Sequence, residues 1–123
     1  MTVRWSEEEF ALYMRHMGIN RPRRQPAPIS EGVWQATIMR VLKDAGYLAF
    51  HVHDSRRSPS GWPDVAAIKP TGGTLYLCEL KTETGIVSQA QQAWLTALAG
   101  CTGVVAEVWK PAMLQEIAAR LRL

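Results

Sequence analysis

The stretch Gly61-Trp62-Pro63-Asp64-Val65-Ala66-Ala67-Ile68-Lys69-Pro70-Thr71-Gly72-Gly73-Thr74-Leu75-Tyr76-Leu77-Cys78-Glu79-Leu80-Lys81 decides how this chain folds. Asp64 to Lys69 and Thr74 to Lys81 are short runs rich in β-branched or aromatic residues and bounded by Pro and Gly, the composition of paired strands. If residues 70–73 form a four-residue loop, opposed positions sum to 143 and Asp64 falls directly across from Glu79. Like charges placed opposite each other on one sheet face are destabilising, so a positive group is expected between them. Lys81 meets that need, because side-chain direction alternates along a strand and places it on the Glu79 face. Leu77 and Leu80 then lie on opposite faces, as in a sheet covered on both sides.

Two carboxylates and an ammonium on one face admit two readings. They form a hard-oxygen site of the kind Mg²⁺ accepts, with water or substrate phosphate completing its coordination. Alternatively, Lys81 pairs with either acid as a surface ion pair worth about 0 to 1 kcal/mol. Spacing alone leaves both open. Gly61 and Pro63 also have local reasons, since Gly permits a tight backbone approach and Pro fixes φ at a strand's start. Trp62 is either exposed by its turn position or packed over the site.

Downstream, the loop from Thr82 to Val87 leads to Ser88, which caps a helix reaching about Ala99, with Trp94, Leu95 and Leu98 as core. Ser88-x-x-Gln91 is a capping box in its own right. Gly100-Cys101-Thr102-Gly103 reads as a turn and Val104 to Trp109 as the last strand. Pro111 opens a helix to about Leu121, with Met113, Leu114, Ile117, Ala118 and Leu121 inward and Arg120 and Arg122 as solvated ends.

Upstream, Ser30 caps a helix running to about Ala45, with Val33, Trp34, Ile38, Val41, Leu42 and Ala45 on one face and Gly46 stopping it. Glu31 points within about 20° of Ile38 and so leans toward the buried stripe. An acid in the first turn is also stabilised by the helix dipole, by about 0.3 to 1 kcal/mol, without any other purpose. Tyr47 to His53 reads as the first core strand. His51 and His53 share a face, but no third or fourth ligand stands nearby, so they are placed at a rim where they could touch phosphate rather than zinc. Asp54 to Ser60 is a polar loop whose Arg56 and Arg57 are the best candidates for contacts with a nucleic-acid backbone.

The N-terminal residues carry a separate pattern. Ser6-Glu7-Glu8-Glu9 has capping-box form, and Phe10, Met14 and Met17 follow at helical spacing, predicting an amphipathic helix over 6–17. Arg21, Arg23 and Arg24 alternate with Pro22, Pro26 and Pro28 in an extended linker, which either lies along phosphates or serves only solubility. The expected organisation is an N-terminal helix (1–19), an Arg/Pro-rich linker (20–29) and one domain (30–123).

At 123 residues and 47% hydrophobic content the chain suits one core. A net charge of +3 permits nucleic-acid binding without demanding it. Cys78 and Cys101 show no metal-ligand spacing and fit free thiols. Without an apolar run long enough to cross a bilayer or a secretory signal, a cytoplasmic location with no membrane partner is expected.

Gly61-Trp62-Pro63-Asp64 followed by Glu79-Leu80-Lys81 resembles the PD-(D/E)xK nuclease signature. With the helix-starting Ser30-Glu31 and Ser88-x-x-Gln91-x-x-Trp94, the chain resembles the virus-type replication-repair nuclease (VRR-NUC) branch over roughly residues 30–110. The resemblance implies an α/β fold with a restriction-endonuclease-like core, in the order helix, three strands, helix, strand, a mixed sheet flanked by helices and a short added helix at each terminus. It implies Asp64, Glu79 and the Leu80 backbone carbonyl as ligands for Mg²⁺, with Mn²⁺ substituting and no organic cofactor. It also implies Lys81 as the residue orienting or helping to deprotonate the attacking water, Glu31 as an auxiliary ligand or water-binding acid, and Gln91 as reaching substrate phosphate or the surroundings of the metal. His53, Arg56, Arg57, Arg21, Arg23 and Arg24 are the expected DNA contacts.

The activity so implied is hydrolysis of DNA phosphodiesters. Small stand-alone members resemble junction-resolving enzymes, which suggests a homodimer cutting branched DNA in a phage or prophage setting within a bacterial cell. A flap or nicking nuclease, a non-cutting DNA-binding module on the same fold, and an enzyme acting on RNA are the alternatives.

Overall fold

A computed structural model describes residues 29–52 and 60–122. The helix expected over 6–17, the linker and most of the 54–60 loop lie outside the described residues. The first described helix, α1 (Glu31–Asp44), starts where Ser30 Oγ accepts from Val33 N at 3.1 Å. It stops as anticipated at Gly46, whose φ of 86° suits a residue without Cβ. The Tyr47 N–H donates back to the Leu42 carbonyl and closes the end. Trp34, Ile38, Val41 and Leu42 are buried, but Val33 is 44% exposed and not part of that face. Its place in the stripe is taken by Thr37, whose hydroxyl donates to the Val33 carbonyl at 2.8 Å and so enters the core satisfied.

Strands β1 (Leu48–His51), β2 (Val65–Ile68), β3 (Leu75–Leu80) and β4 (Val104–Trp109) form one four-stranded sheet in the order β1-β2-β3-β4. β1, β2 and β3 are antiparallel neighbours, and β4 runs parallel to β3. The hairpin register is the expected one: Val65 opposes Cys78, Ala66 opposes Leu77 and Ala67 opposes Tyr76. The strands are shorter at their ends than the sequence suggests, and Asp64 and Lys81 sit just beyond them.

The core lies on one face of the sheet. Val65, Ala67, Cys78, Leu80 and Trp109 pack there against α1 and the C-terminal helix α3 (Leu114–Leu121). Burial of this set, at about 25 cal/mol per Å² of apolar surface, is the main force holding the layers. Trp34 Nε1 donates to the Trp109 carbonyl at 2.9 Å, tying α1 to the end of β4. Helix α2 (Gln89–Ala99) packs over β3 and β4 on the opposite face, where Leu77 and Leu95 are buried. Trp94 and Leu98 are only half-buried. No described element packs on the β1 end of that face, and Leu48 and Phe50 are exposed there.

Two features of the C-terminus differ from expectation. Pro111–Met113 is a 3₁₀ turn that precedes α3 rather than its first α-helical turn. Arg120 is not a solvated end: both terminal nitrogens donate to the Glu107 carboxylate on β4, which also accepts from Trp109 Nε1. Arg120 holds the Glu107 carboxyl below the usual carboxylate range, against the opposing effect of burial. A depressed acid contributes stability above its unfolded-state pKa, and the contribution is lost as pH falls through the folded value. With both side chains about one-third exposed, solvent screening limits the pair to about 1 kcal/mol. Glu107→Gln should therefore destabilise the chain by about that amount at pH 7, with the gap closing below about pH 4; urea melts across pH 3–7 measure it.

Candidate active site

Asp64 leaves the turn at the start of β2, and Glu79 lies near the end of the neighbouring strand β3. Register brings them together on the face that α2 covers. Glu79 is 2% exposed, and the Asp64 carboxyl is close enough to act on it electrostatically. Burial, then Asp64, pushes the Glu79 carboxyl up to about 8, with Lys81 opposing the shift. The shift favours the form of Glu79 that keeps its proton. This is the response expected of two acids in one poorly hydrated place.

Each acid has a specific partner. The Leu80 N–H donates to Asp64 Oδ2 at 3.0 Å, a backbone donor that β3 supplies where it passes the turn. Lys81 Nζ stands 3.6 Å from Glu79 Oε2, and its side chain is 19% exposed. Gln91 Nε2 donates to the same Oε2 at 3.1 Å. The other end of the Gln91 amide accepts from Ser88 N at 2.9 Å, while Ser88 Oγ accepts from Gln91 N. The cap and the site are thus served by one side chain. Among the described residues nothing donates to the buried Glu79 Oε1.

The approach of α2 to the site depends on Gly61. Its φ is 101°, and a Cβ added there would lie 2.6 Å from the Ala90 carbonyl carbon and 2.9 Å from Gln91 N. Trp94 Nε1 donates to the Ser60 carbonyl at 3.1 Å and pins the other side of the turn. Helical spacing predicts Trp94 as core alone and does not predict this anchor. Its position one helical turn after Gln91, on the same side of α2, was the available signal.

The structure therefore brings together Asp64, Glu79, Lys81 and Gln91. Glu31 is exposed in the first turn of α1, and its side chain makes no hydrogen bond or ion pair with the described residues. His51 meets the Gln35 side chain at 2.6 Å on the opposite face. His53, Arg56, Arg57, Arg21, Arg23 and Arg24 lie outside the described residues. Among the described residues no three His, Cys, Asp or Glu side chains converge, and those residues offer a cation the two acids Asp64 and Glu79 together with backbone oxygens. The unpartnered Glu79 oxygen beside a second carboxylate fits that donor set, because hard cations take oxygen ligands of mixed origin.

The model of the VRR-NUC domain matches residues 19–112. The chain belongs to the VRR-NUC family. A solved structure described as a VRR-NUC domain aligns with a TM-score of 0.59 and 21% identity, covering 72% of this chain and 94% of that one. The Holliday junction resolvase Hjc of Archaeoglobus fulgidus aligns with a TM-score of 0.49 and 24% identity, over 63% of this chain and 64% of its own. No curated protein sequence matches. The α/β architecture, with its mixed four-stranded sheet between helices, is the restriction-endonuclease-like core of PD-(D/E)xK nucleases.

Two outcomes follow for a VRR-NUC chain built this way. Gly61→Ala meets backbone rather than a movable side chain and should cost about 1 to 3 kcal/mol, read as a lowered urea midpoint, together with most of any cleavage. Glu79 binds its proton more tightly folded than unfolded, so in EDTA wild-type stability should fall as pH rises from about 5 to about 8. Glu79→Gln should abolish that slope and melt several degrees above wild type at pH 8; thermal scans across this range check both.

Proposed function

We propose that the chain is a divalent-cation-dependent endodeoxyribonuclease selective for branched DNA, and that it works as a two-fold dimer. The observation that carries this reading is the meeting of Asp64, Glu79 and Lys81 at one end of the sheet, with a buried Glu79 oxygen left without a partner among the described residues. Asp64, Glu79 and the Leu80 backbone carbonyl would hold Mg²⁺ or Mn²⁺, with Glu31 as an auxiliary acid. When bound, such a cation supplies Lewis-acid stabilisation of charge on the phosphoryl oxygens and lowers the pKa of water.

The chain's own groups do the rest. Lys81 Nζ, beside Glu79 and partly open to solvent, either orients the attacking water as an ammonium, offsetting negative charge growing on the phosphoryl oxygens, or in its neutral form helps to take that water's proton. Gln91 holds the Glu79 carboxylate in one orientation, and the Leu80 N–H does the same for Asp64. His53, Arg56, Arg57, Arg21, Arg23 and Arg24 are proposed to contact the phosphate backbone, which positions DNA without reading its sequence. Family membership supports DNA as the substrate class. Two symmetric cuts at a branch point require two sites related by a two-fold axis, which is the reason for the dimer.

Incubation with plasmid, branched DNA and RNA of matched sequence tests the activity. Cleavage of DNA should need Mg²⁺ or Mn²⁺ and stop in EDTA. Asp64→Asn and Lys81→Ala should each lower the rate by about 10² to 10³-fold, the loss expected when one charge-stabilising group is removed. Rates within a few-fold of wild type would remove these residues from the mechanism, binding without cutting would favour a DNA-binding module, and sedimentation as a monomer at micromolar concentration would remove the dimer.

A further inference from the structure

Trp62 lies between the two residues that shape the turn, Gly61 and Pro63, and two residues before Asp64. Pro63 is buried, yet Trp62 remains 37% exposed. The side chain is nonetheless held. Its ring meets Trp94 edge to face, with centroids 5.1 Å apart and planes at 82°. Trp94 is in turn fixed to the Ser60 carbonyl, and the close approach of Gly61 to Ala90 leaves the turn little room to shift. An indole with one neighbouring ring among the described residues, on a turn anchored at three points, keeps apolar surface in water that core packing does not require.

Phosphates offer an indole little, whereas nucleobases offer a face to stack on. In a continuous duplex each base is already stacked on both sides. Only a nucleotide at a branch, flap or gap presents a free face next to a backbone phosphate. Two residues span at most about 7 Å of chain, so a base on Trp62 would belong to a nucleotide beside the phosphate at Asp64.

We propose that Trp62 is a specificity-determining residue: a stacking platform for an unpaired or unstacked base flanking the scissile phosphate, by which branched DNA is chosen over continuous duplex. This rests on the nuclease reading of the Asp64 and Glu79 site. Stacking selects for base exposure and not for base identity, so preference at this position should be sequence-tolerant.

The test compares wild type with Trp62→Leu, which keeps apolar packing against Trp94 but has no aromatic face, and Trp62→Phe, which restores one. Rates are measured on a four-way junction, a flap, single strands and continuous duplex, with circular dichroism showing that each variant is folded. Trp62→Leu should lower the branched-to-duplex rate ratio about ten-fold, with duplex cleavage unchanged, and Trp62→Phe should recover most of it. In a second arm Ca²⁺ replaces Mg²⁺ and 2-aminopurine flanks the scissile position. Binding to wild type should quench its fluorescence, and binding to Trp62→Leu should not. An unchanged ratio in folded Trp62→Leu, or no quenching by wild type, overturns the proposal. If wild type cuts no DNA, the nuclease reading fails, and the fluorescence arm still decides whether Trp62 stacks on a base.

Discussion

The structure depends on keeping a glutamate carboxylate out of water beside another acid. Glu79 is 2% exposed and lies beside Asp64, whose negative charge opposes its own, a placement that costs several kcal/mol unless other groups compensate. The compensation comes from different parts of the chain. The Leu80 N–H is delivered by β3, the Lys81 ammonium by the residue just past that strand, and the Gln91 amide by the first turn of α2. Each requires a tertiary arrangement to be right: the β2–β3 register, the parallel pairing of β3 with β4 that ends β3 beside Trp109, and the seating of α2 against Gly61. The fold and the site are one set of constraints here.

A second carboxylate shows what full compensation looks like. Glu107 accepts from both terminal nitrogens of Arg120 and from Trp109 Nε1, and its carboxyl is held below the normal range. Among the described residues Glu79 has a lysine and an amide on one oxygen and no donor on the other, and its carboxyl is pushed above that range. Acids that serve only to join elements can be satisfied completely within the protein. A buried acid left incomplete next to another acid is an arrangement with room for one more positive partner, and sites of chemistry are where such strain is retained.

Much of this was legible because the information was local. The hairpin register followed from two strands of known composition and one short Gly-rich loop, and it placed Asp64 against Glu79 before any coordinates. Ser30, Gly46 and Ser88 marked helix ends through their own backbone chemistry. What escaped was decided by residues distant in sequence. Val33 has the right spacing for the core stripe of α1 but falls at its margin, where exposure depends on which elements pack nearby. Arg120 has the look of a helix end meeting solvent, and only the arrival of β4 gives it Glu107. The Leu80 N–H could not be read as a ligand of Asp64, because every residue has such a donor and only register aims this one.

Gln91 shows why two local readings of a residue need not compete. The capping-box motif accepts Glu or Gln at this position, since either offers an oxygen to the N-cap backbone. Glu would fill that role equally well and would bring a third carboxylate against Glu79 with no proton to donate at neutral pH. The amide has an acceptor at one end and a donor at the other, and both are used: Oε1 takes the Ser88 N–H while Nε2 reaches Glu79. Winding the first turn of α2 therefore also orients the buried carboxylate. Among the side chains that can close this cap, only the neutral one meets the electrostatic demand of the neighbouring acid pair.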